Sequence, residues 1–326
     1  MHSLRNAVVV ITGASSGIGR ATALAFARRG ARLVLAARRA EPLEALARGC
    51  RAAGGEGLAV PTDVTEAAAV EALAQAALKA HGRIDLWINN VGIGVFGAFQ
   101  EAPMALHRRV IEANLLGAMH GTAAVLPTFL QQGEGVLINM VSIGGWSPTP
   151  YAASYAASKF GIRGFTASLR AELAPHPDIR LCAVFPALVD TPGFLHGANM
   201  AGRALRPSGP MLAPETVAEV FVGLALRPRD EVAVGWTSSA ARLAYALAPG
   251  LTERGSAALM RRFLRRAPPA PRTEGAVMAP MPEGTATSGG LRRRGGTRPG
   301  MGLAGIALAG LGLAIGIDAL LGRRQG

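Results

Sequence analysis

Short apolar runs alternate with longer mixed stretches through the first 186 residues of the chain. Six runs are rich enough in Val, Ile and Leu to form strands, at residues 7–12, 31–37, 57–64, 84–90, 135–142 and 179–186. They are continuously apolar, which is typical of parallel strands that are covered on both faces. The stretches between them have the length and the Ala, Leu, Glu and Arg content of helices.

This alternation of strand and helix predicts the fold class α/β, with a doubly wound parallel sheet of Rossmann-like type in a single domain over residues 1–266. The run EVAVGW at residues 231–236 is expected to add a last strand. Residues 242–266 are expected to be helical, with many arginines towards their end. A chain of 326 residues is long enough for one large domain with a well-buried core.

The composition changes at residue 267. Residues 267–300 hold six prolines and seven glycines among 34 residues, which predicts a disordered Pro/Gly-rich linker. The 17 residues from 301 to 317 carry no charge, which is the short limit for a spanning helix of about 17–25 residues. We therefore predict that residues 301–321 are a transmembrane or membrane-associated segment. A peripheral segment and a disordered Gly/Ala tail remain the alternatives.

The charge and the cysteines narrow the class of protein. The net charge is +13, and all 34 basic residues except Lys79 and Lys159 are arginines. These arginines are scattered and form no nucleic-acid motif, so a solvated basic surface is favoured over nucleic-acid binding. Binding of anionic lipid or of a phosphorylated cofactor remains open as a use of part of this charge.

Cys50 and Cys182 are far apart and predict neither a disulfide framework nor a metal site. The five-residue apolar run near the N-terminus is too short for a signal peptide, so a cytoplasmic domain is expected.

A glycine-rich loop, TGASSGIG, joins the first predicted strand to the first predicted helix at residues 12–19. Its glycines permit a tight turn and a close approach of the backbone to a pyrophosphate, and the N–H groups that begin the helix favour phosphate. In the first strand–helix turn of such a chain this motif predicts a dinucleotide site more than an ordinary turn. The loop residues expected to contact the cofactor are Gly13, Ser15, Ser16, Gly17, Ile18 and Gly19.

The residues after the second predicted strand indicate which dinucleotide binds. NAD enzymes often place an acidic residue here for the adenosine ribose, but this chain has Ala37 and Arg38, followed by Arg39. A guanidinium group would pair with a 2′-phosphate. We therefore predict NADP(H), with NAD less favoured. The alternative is that both arginines are only solvated.

Two tyrosines and a lysine share one helical pattern in YAASYAASKF, residues 151–160. Tyr155 and Lys159 are four residues apart and lie on one helix face, whereas Tyr151 is about 12 Å from Lys159 along the helix axis. An ammonium ~5 Å from a phenolate attracts it by about 3 kcal/mol, so we expect the pKa of Tyr155 to be about two units below its usual value of ~10. Ser142 ends the strand predicted at 135–142, where the ligand crevice of such a sheet lies. Tyr155 is therefore the candidate acid/base, with a packed core tyrosine as the alternative.

These motifs and their order along the chain resemble those of the short-chain dehydrogenase/reductase (SDR) family, and the resemblance covers residues 5–235. TGASSGIG matches its TGxxxGxG, and NNVG at residues 89–92 is similar to its NNAG. Ala187 departs from the Pro-Gly that usually follows the sixth strand of the family. The resemblance implies further cofactor contacts at Asp63, Val64, Asn89, Lys159 and Thr191. It implies catalytic roles for Asn114, Ser142, Tyr155 and Lys159.

The resemblance also implies the chemistry of the site. Hydride would pass between NADP(H) and a carbonyl compound or secondary alcohol, with Tyr155 moving the proton and Ser142 hydrogen-bonding the reacting oxygen. Lys159 would hold the nicotinamide ribose, and Asn114 would position a water of the proton relay. Residues 1–266 would form the dinucleotide-binding catalytic domain of a cytoplasmic enzyme, a homo-oligomer that acts on a small molecule. The membrane anchor at residues 301–321 is expected from the uncharged run alone and not from the resemblance.

The residues predicted at the pocket edge are mainly apolar, which favours a lipophilic substrate. They are Ile93, Val95, Phe96, Trp146, Leu188, Phe194, Leu195, Met200 and Met211. Two other functions remain open. A non-catalytic redox sensor or scaffold would need no proton donor, so the set of Ser142, Tyr155 and Lys159 argues against it. A sugar-nucleotide epimerase of the extended relatives would favour the spacing GxxGxxG, which differs from the spacing found here.

Overall fold

The computed structural model describes residues 3–207 and 209–292, and a sheet of seven parallel strands forms its centre. The order across the sheet is β3-β2-β1-β4-β6-β7-β9, and a small second sheet pairs β5 with β8. The strands are β1 (Val8–Thr12), β2 (Arg32–Ala37), β3 (Glu56–Pro61), β4 (Leu86–Asn89), β5 (Val95–Phe96), β6 (Gly135–Met140), β7 (Ile179–Pro186), β8 (Ala198–Asn199) and β9 (Glu231–Val234). This is the α/β Rossmann-like sheet that the sequence predicts.

Helices connect the strands and cover both faces of the sheet. They are α1 (Gly17–Ala27), α2 (Ala40–Ala52), α3 (Ala67–His81), α4 (Met104–Ile111), α5 (Gly117–Gln132), α6 (Ala153–Glu172), α7 (Gly193–His196), α8 (Pro214–Leu226), α9 (Trp236–Leu247) and α10 (Pro249–Arg266). A π-helical turn, Glu112–Leu116, links α4 to α5 without a break in the helix.

Burial on both faces explains why the strand residues are apolar without alternation. Val9 and Ile11 pack under α1, α2 and α8, whereas their neighbour Val10 packs with Trp87 under α3, α5 and α6. Successive side chains of a strand point to opposite faces, so both must be apolar when helices cover both.

The predicted helix over residues 242–266 is divided in the structure. Helix α9 already begins at Trp236 and ends at Leu247, and α10 begins at Pro249. Ala248 between them lies outside the α region, with φ −145° and ψ 66°. A residue before proline is driven out of the α region, which explains the break.

Residues 267–292, which we call the strap, differ from the disordered linker expected there. Thr273 pairs with Asn199, Ala276 and Val277 are buried, and Gly275 lies so close to His196 that a Cβ would overlap the carbonyl oxygen of that residue. The small residues that cannot build a core of their own allow the backbone to pack directly on the domain.

The predicted membrane segment, residues 301–321, lies outside the described residues. Within residues 3–207 and 209–292, no helix combines the length and the apolar character needed to cross a bilayer.

Candidate active site

A cavity of about 330 Å³ opens at the carboxyl ends of the strands, beside β1 and β4, where the order of the sheet reverses. In doubly wound sheets this is where ligands bind. Of the residues predicted to be catalytic or to contact the cofactor, those that line the cavity are Gly13, Ser15, Ser16, Gly17, Ile18, Arg38, Asp63, Val64, Ser142, Tyr155, Lys159 and Thr191. Three residues of that group do not line it, namely Gly19, Asn89 and Asn114.

The glycine loop needs glycine for two different reasons. Gly13 and Gly17 have φ of 66° and 55°, in the left-handed region that favours glycine. Gly19 has an ordinary φ, but a Cβ there would overlap the carbonyl oxygen of Gly13 and lie 2.7 Å from the amide nitrogen of Asn90. Gly19 therefore allows α1 to start against the loop, and the resulting backbone cradle fits a pyrophosphate.

The end of the cavity beside the last residues of β2 is basic. Arg38 and Arg39 both line it, and the Arg39 guanidinium lies 3.5 Å from the Ser15 hydroxyl. Two guanidinium groups and a hydroxyl are donors that suit a phosphate on the adenosine ribose. The described residues here thus fit a phosphorylated dinucleotide.

Asp63 stands beside these arginines and is held by a residue that sequence analysis missed. Arg109 donates to the Asp63 carboxylate at 2.7 Å, and the backbone N–H of Thr65 donates to it at 3.0 Å. Burial alone would raise the pKa of Asp63, but the hydrogen bonds from Thr65 and the charge of Arg109 lower it below its ordinary value. Arg109 comes from α4 and carries no motif, so only the fold brings it here.

Tyr155 and Lys159 meet in the cavity, but the predicted direction of the Tyr155 pKa shift is wrong. Burial raises the pKa of Tyr155, and the nearby Ser142 hydroxyl opposes this only in part. Lys159 lies 5.7 Å from the centre of the Tyr155 ring and donates to the carbonyl of Met140 at 2.9 Å. Burial also lowers the pKa of Lys159 to about 7. The same loss of water therefore disfavours the charged form of both side chains.

Tyr151 is separate from this arrangement. It precedes α6, has φ 64°, and accepts a hydrogen bond from the Gly97 N–H through its carbonyl. It does not line the cavity. The spacing argument that distinguished Tyr155 from Tyr151 thus agrees with where the structure places the two residues.

Asn114 lies in the π-helical turn and is buried behind the cavity. Its amide oxygen accepts from the Ile93 N–H at 2.9 Å, and its nitrogen donates to the Ile93 carbonyl and to the Ser158 hydroxyl, both at 2.9 Å. These contacts fix the backbone of the cavity wall at Ile93. The role in a water relay stays a prediction.

Asn89 points away from the cavity, so its side chain is not placed for the expected cofactor contact. Its amide accepts from the Trp87 indole at 2.8 Å and donates to Asn139 at 2.9 Å, inside the domain. The next residue, Asn90, lines the cavity and donates to the carbonyl oxygens of Thr12 and Gly13. Neighbouring residues at the end of a strand face opposite ways, and the side chain that reaches the loop is that of Asn90.

The end of the cavity beside Ser142 and Tyr155 is mainly apolar. Of the predicted pocket-edge residues, Ile93, Phe96, Leu188 and Phe194 line it. Val95, Trp146, Leu195, Met200 and Met211 do not. Trp146 is instead buried and stacks on Phe185 at 3.9 Å between ring centres. Strap residues supply part of the remaining wall: Ala276, Val277, Pro280 and Met281.

Comparison with known proteins places the chain among oxidoreductases. The model of the family described as short chain dehydrogenase matches residues 7–196. The uncharacterized oxidoreductase YxnA of Bacillus subtilis is 33% identical over 257 residues, which are 78% of this chain and 72% of that protein.

Two solved structures are similar to this one. An alcohol dehydrogenase from Thermococcus sibiricus, complexed with 5-hydroxy-NADP, has a TM-score of 0.62 and 30% sequence identity, and the match covers 70% of this chain and 95% of that one. A protein from Burkholderia phymatum, solved in complex with NAD, has a TM-score of 0.67 and 28% identity, over 84% of this chain and 100% of that one. Both phosphorylation states of the cofactor thus occur among similar structures.

Proposed function

The chain belongs to the short chain dehydrogenase family and is an oxidoreductase, and from this premise we propose that it transfers a hydride between NADP(H) and a carbonyl compound or secondary alcohol. The observation that supports this most directly is that Ser142, Tyr155 and Lys159 line one cavity with the glycine loop. A protein that only binds a dinucleotide needs no proton donor, such as Tyr155, in the same cavity as the glycine loop.

NADP(H) is proposed over NAD because of the charge at the adenosine end. Arg38 and Arg39 stand where an acidic residue would favour the unphosphorylated ribose, and both line the cavity. Asp63 is already paired with Arg109, so its charge is compensated before a phosphate approaches. Guanidinium groups bind phosphate oxygens strongly and keep their charge throughout the physiological range.

The side chains of the site have distinct parts in the reaction. When bound, the nicotinamide supplies or accepts the hydride. Tyr155 holds its proton at neutral pH, since burial raises the pKa of a phenol that already ionises well above neutrality, and it would donate this proton to the oxygen of a carbonyl substrate. Ser142 accepts a hydrogen bond from the Gly144 N–H at 3.1 Å, so its own hydroxyl proton can be directed at the same oxygen. The Lys159 ammonium would stabilise the phenolate left after proton transfer.

The apolar wall favours a lipophilic substrate. Ile93, Phe96, Leu188 and Phe194 surround the nicotinamide end and present little that would bind a charged group. Burying such surface against a hydrocarbon part of the substrate stabilises the complex by roughly 25 cal/mol per Å². Substrates with apolar groups beside the carbonyl or alcohol carbon should therefore be turned over best.

The test is a screen of ketones, aldehydes and secondary alcohols with NADP(H) and NAD(H), following the absorbance of the reduced nicotinamide. Tyr155→Phe should lower kcat by a factor on the order of 10²–10⁴, the usual contribution of a general acid. Binding of NADPH, measured separately by fluorescence, should stay nearly unchanged.

Tyr151→Phe is the matched control, since it makes the same chemical change four residues before Tyr155 and outside the cavity. It should keep most of the activity. Equal loss of turnover in the two variants would show that the proton donor has been assigned to the wrong residue.

A further inference from the structure

The strap crosses the cavity, and we propose that its residues 276–291, which we call the lid, close over bound NADP(H), so that the nucleotide leaves only when the lid lifts. The inference rests on the proposed function, because it concerns the release of the same nucleotide. The lid lies outside residues 7–196, to which the family model is matched.

At the adenosine end, both arginines of the site hold the lid. Arg38 donates to the carbonyl of Ala276 at 2.6 Å. Arg39 donates through Nη1 to the carbonyls of Met281, Pro282 and Glu283 at 2.6, 3.1 and 3.1 Å. These are bonds from charged donors, the stronger class of protein hydrogen bond.

At the opposite end, the lid is fastened to Asp190. Ser288 donates its hydroxyl to the Asp190 carboxylate at 2.6 Å, and the N–H of Leu291 donates to the same carboxylate at 2.9 Å. Burial alone would raise the pKa of Asp190, but these hydrogen bonds lower it below its ordinary value, so the carboxylate is charged at neutral pH. Nearby, the carbonyl of Ala286 accepts from the Gly17 N–H at 3.0 Å.

The closed lid leaves part of the cavity open beneath it. Ala276, Val277, Pro280 and Met281 line the same cavity of about 330 Å³ as the glycine loop and the proton-transfer residues. The lid therefore covers the cavity and forms one of its walls without filling it.

The arginines can hold the lid and a phosphate together. A guanidinium has five N–H donors, and the bond to the lid engages only Nη2 of Arg38 and Nη1 of Arg39. The Nη2 group of Arg39 already faces Ser15 in the glycine loop. A 2′-phosphate held by the remaining donors would tie the nucleotide to the lid through the same side chains, which makes release dependent on lifting the lid.

Gly289 offers a specific way to loosen the lid. Its N–H donates to the carbonyl of Asp190 at 3.3 Å, and a Cβ there would lie 2.5 Å from the carbonyl oxygen of Thr191. Gly289→Ala must therefore push the end of the lid away from the domain. Gly164→Ala is the matched control, because a Cβ at that exposed helix position meets nothing within 4 Å.

The experiment measures NADPH release from the full chain, by stopped-flow fluorescence after mixing with excess NADP⁺. Gly289→Ala should release NADPH on the order of tenfold faster, the change expected when one ordinary hydrogen bond that fastens the lid is lost. Gly164→Ala should match the unsubstituted chain. Ser288→Ala removes the hydroxyl that donates a hydrogen bond to Asp190 and introduces no new steric contact. It should also speed the release of NADPH.

Hydrogen exchange gives a readout that does not depend on turnover. NADPH should slow exchange of the amides of residues 286–291 in the unsubstituted chain, and less so in Gly289→Ala. If both lid variants release NADPH at the unsubstituted rate, or bind it more tightly, the lid does not retain the nucleotide and the inference is wrong. If the unsubstituted chain binds no NADPH at all, the proposed function fails and the lid with it.

Discussion

At the level of single residues, the proposed chemistry depends on a few side chains whose surroundings set their charge. Lys159 is buried and has a pKa lowered to about 7, while burial raises the pKa of Tyr155. Both shifts have the same cause, the loss of water around a group that would carry charge. The helix spacing brings the two residues together, but the depth of the cavity decides how readily each ionises.

Arg38 allows a residue-level test of nucleotide choice. Arg38→Ala should weaken NADPH binding by about 1.5–3 kcal/mol, the range for a hydrogen bond to a charged group, and leave NADH binding nearly unchanged. Titration of each reduced nucleotide by fluorescence measures both affinities.

Arg48→Ala is the control for net charge, since Arg48 is exposed on α2 and does not line the cavity. An equal loss of affinity for NADPH and NADH in Arg38→Ala would mean that Arg38 acts through its bond to Ala276 in the lid and not through a 2′-phosphate.

At the level of elements, the π-helical turn between α4 and α5 has a structural role beside the site. An extra residue per turn places the Asn114 amide against the backbone of Ile93, where it both accepts and donates. π-Helical turns inside α-helices often occur at functional sites. Here the Asn114 side chain in the turn forms hydrogen bonds to the loop at Ile93, which forms part of the cavity wall.

Asn114→Ala should lower the free energy of unfolding by about 2–4 kcal/mol, because it removes the side-chain partner of both the N–H and the carbonyl of Ile93. Urea unfolding measures this difference. Gln131→Ala, at an exposed amide on α5, is the control and should stay within about 0.5 kcal/mol of the unsubstituted chain. A similar small change in both variants would show that the Asn114 contacts contribute little to stability.

At the level of the whole molecule, the strap and the predicted membrane segment at 301–321 are two separate stretches of the C-terminal sequence. The strap packs on the domain that contains the seven-stranded sheet, and residues 301–321 lie outside the described residues. The two parts can therefore be tested separately. A cut after Arg266 would remove the lid as well, whereas a cut after Arg292 keeps it.

If residues 301–321 anchor the protein, the full chain should stay with membranes through high salt and alkaline carbonate, and a chain ending at Arg292 should be found in the soluble fraction. Both should release NADPH at the same rate, because both keep the lid. Release of the full chain by salt alone would mean that arginines bind the surface without insertion of the apolar run. Recovery of the full chain in the soluble fraction without treatment would rule out membrane binding.

The sequence by itself determined the features that depend on residues close together in the chain. Continuous apolar runs separated by helix-length stretches were enough to predict the strands of the parallel sheet. The glycine loop could be recognised because its glycines, N–H groups and helix start lie within eight residues, 12–19. Tyr155 was separated from Tyr151 because four residues make one helical turn.

Only the tertiary structure decided how distant segments meet. Arg109 reaches Asp63 from 46 residues away, and the lid reaches Arg38 from 238 residues away. The composition of the strap predicts disorder because it contains no core of its own, yet it folds against acceptors and donors that the domain already presents. Likewise the direction of the Tyr155 pKa shift could not be found from spacing. Burial is a property of everything that surrounds a side chain, and local sequence specifies only its nearest neighbours.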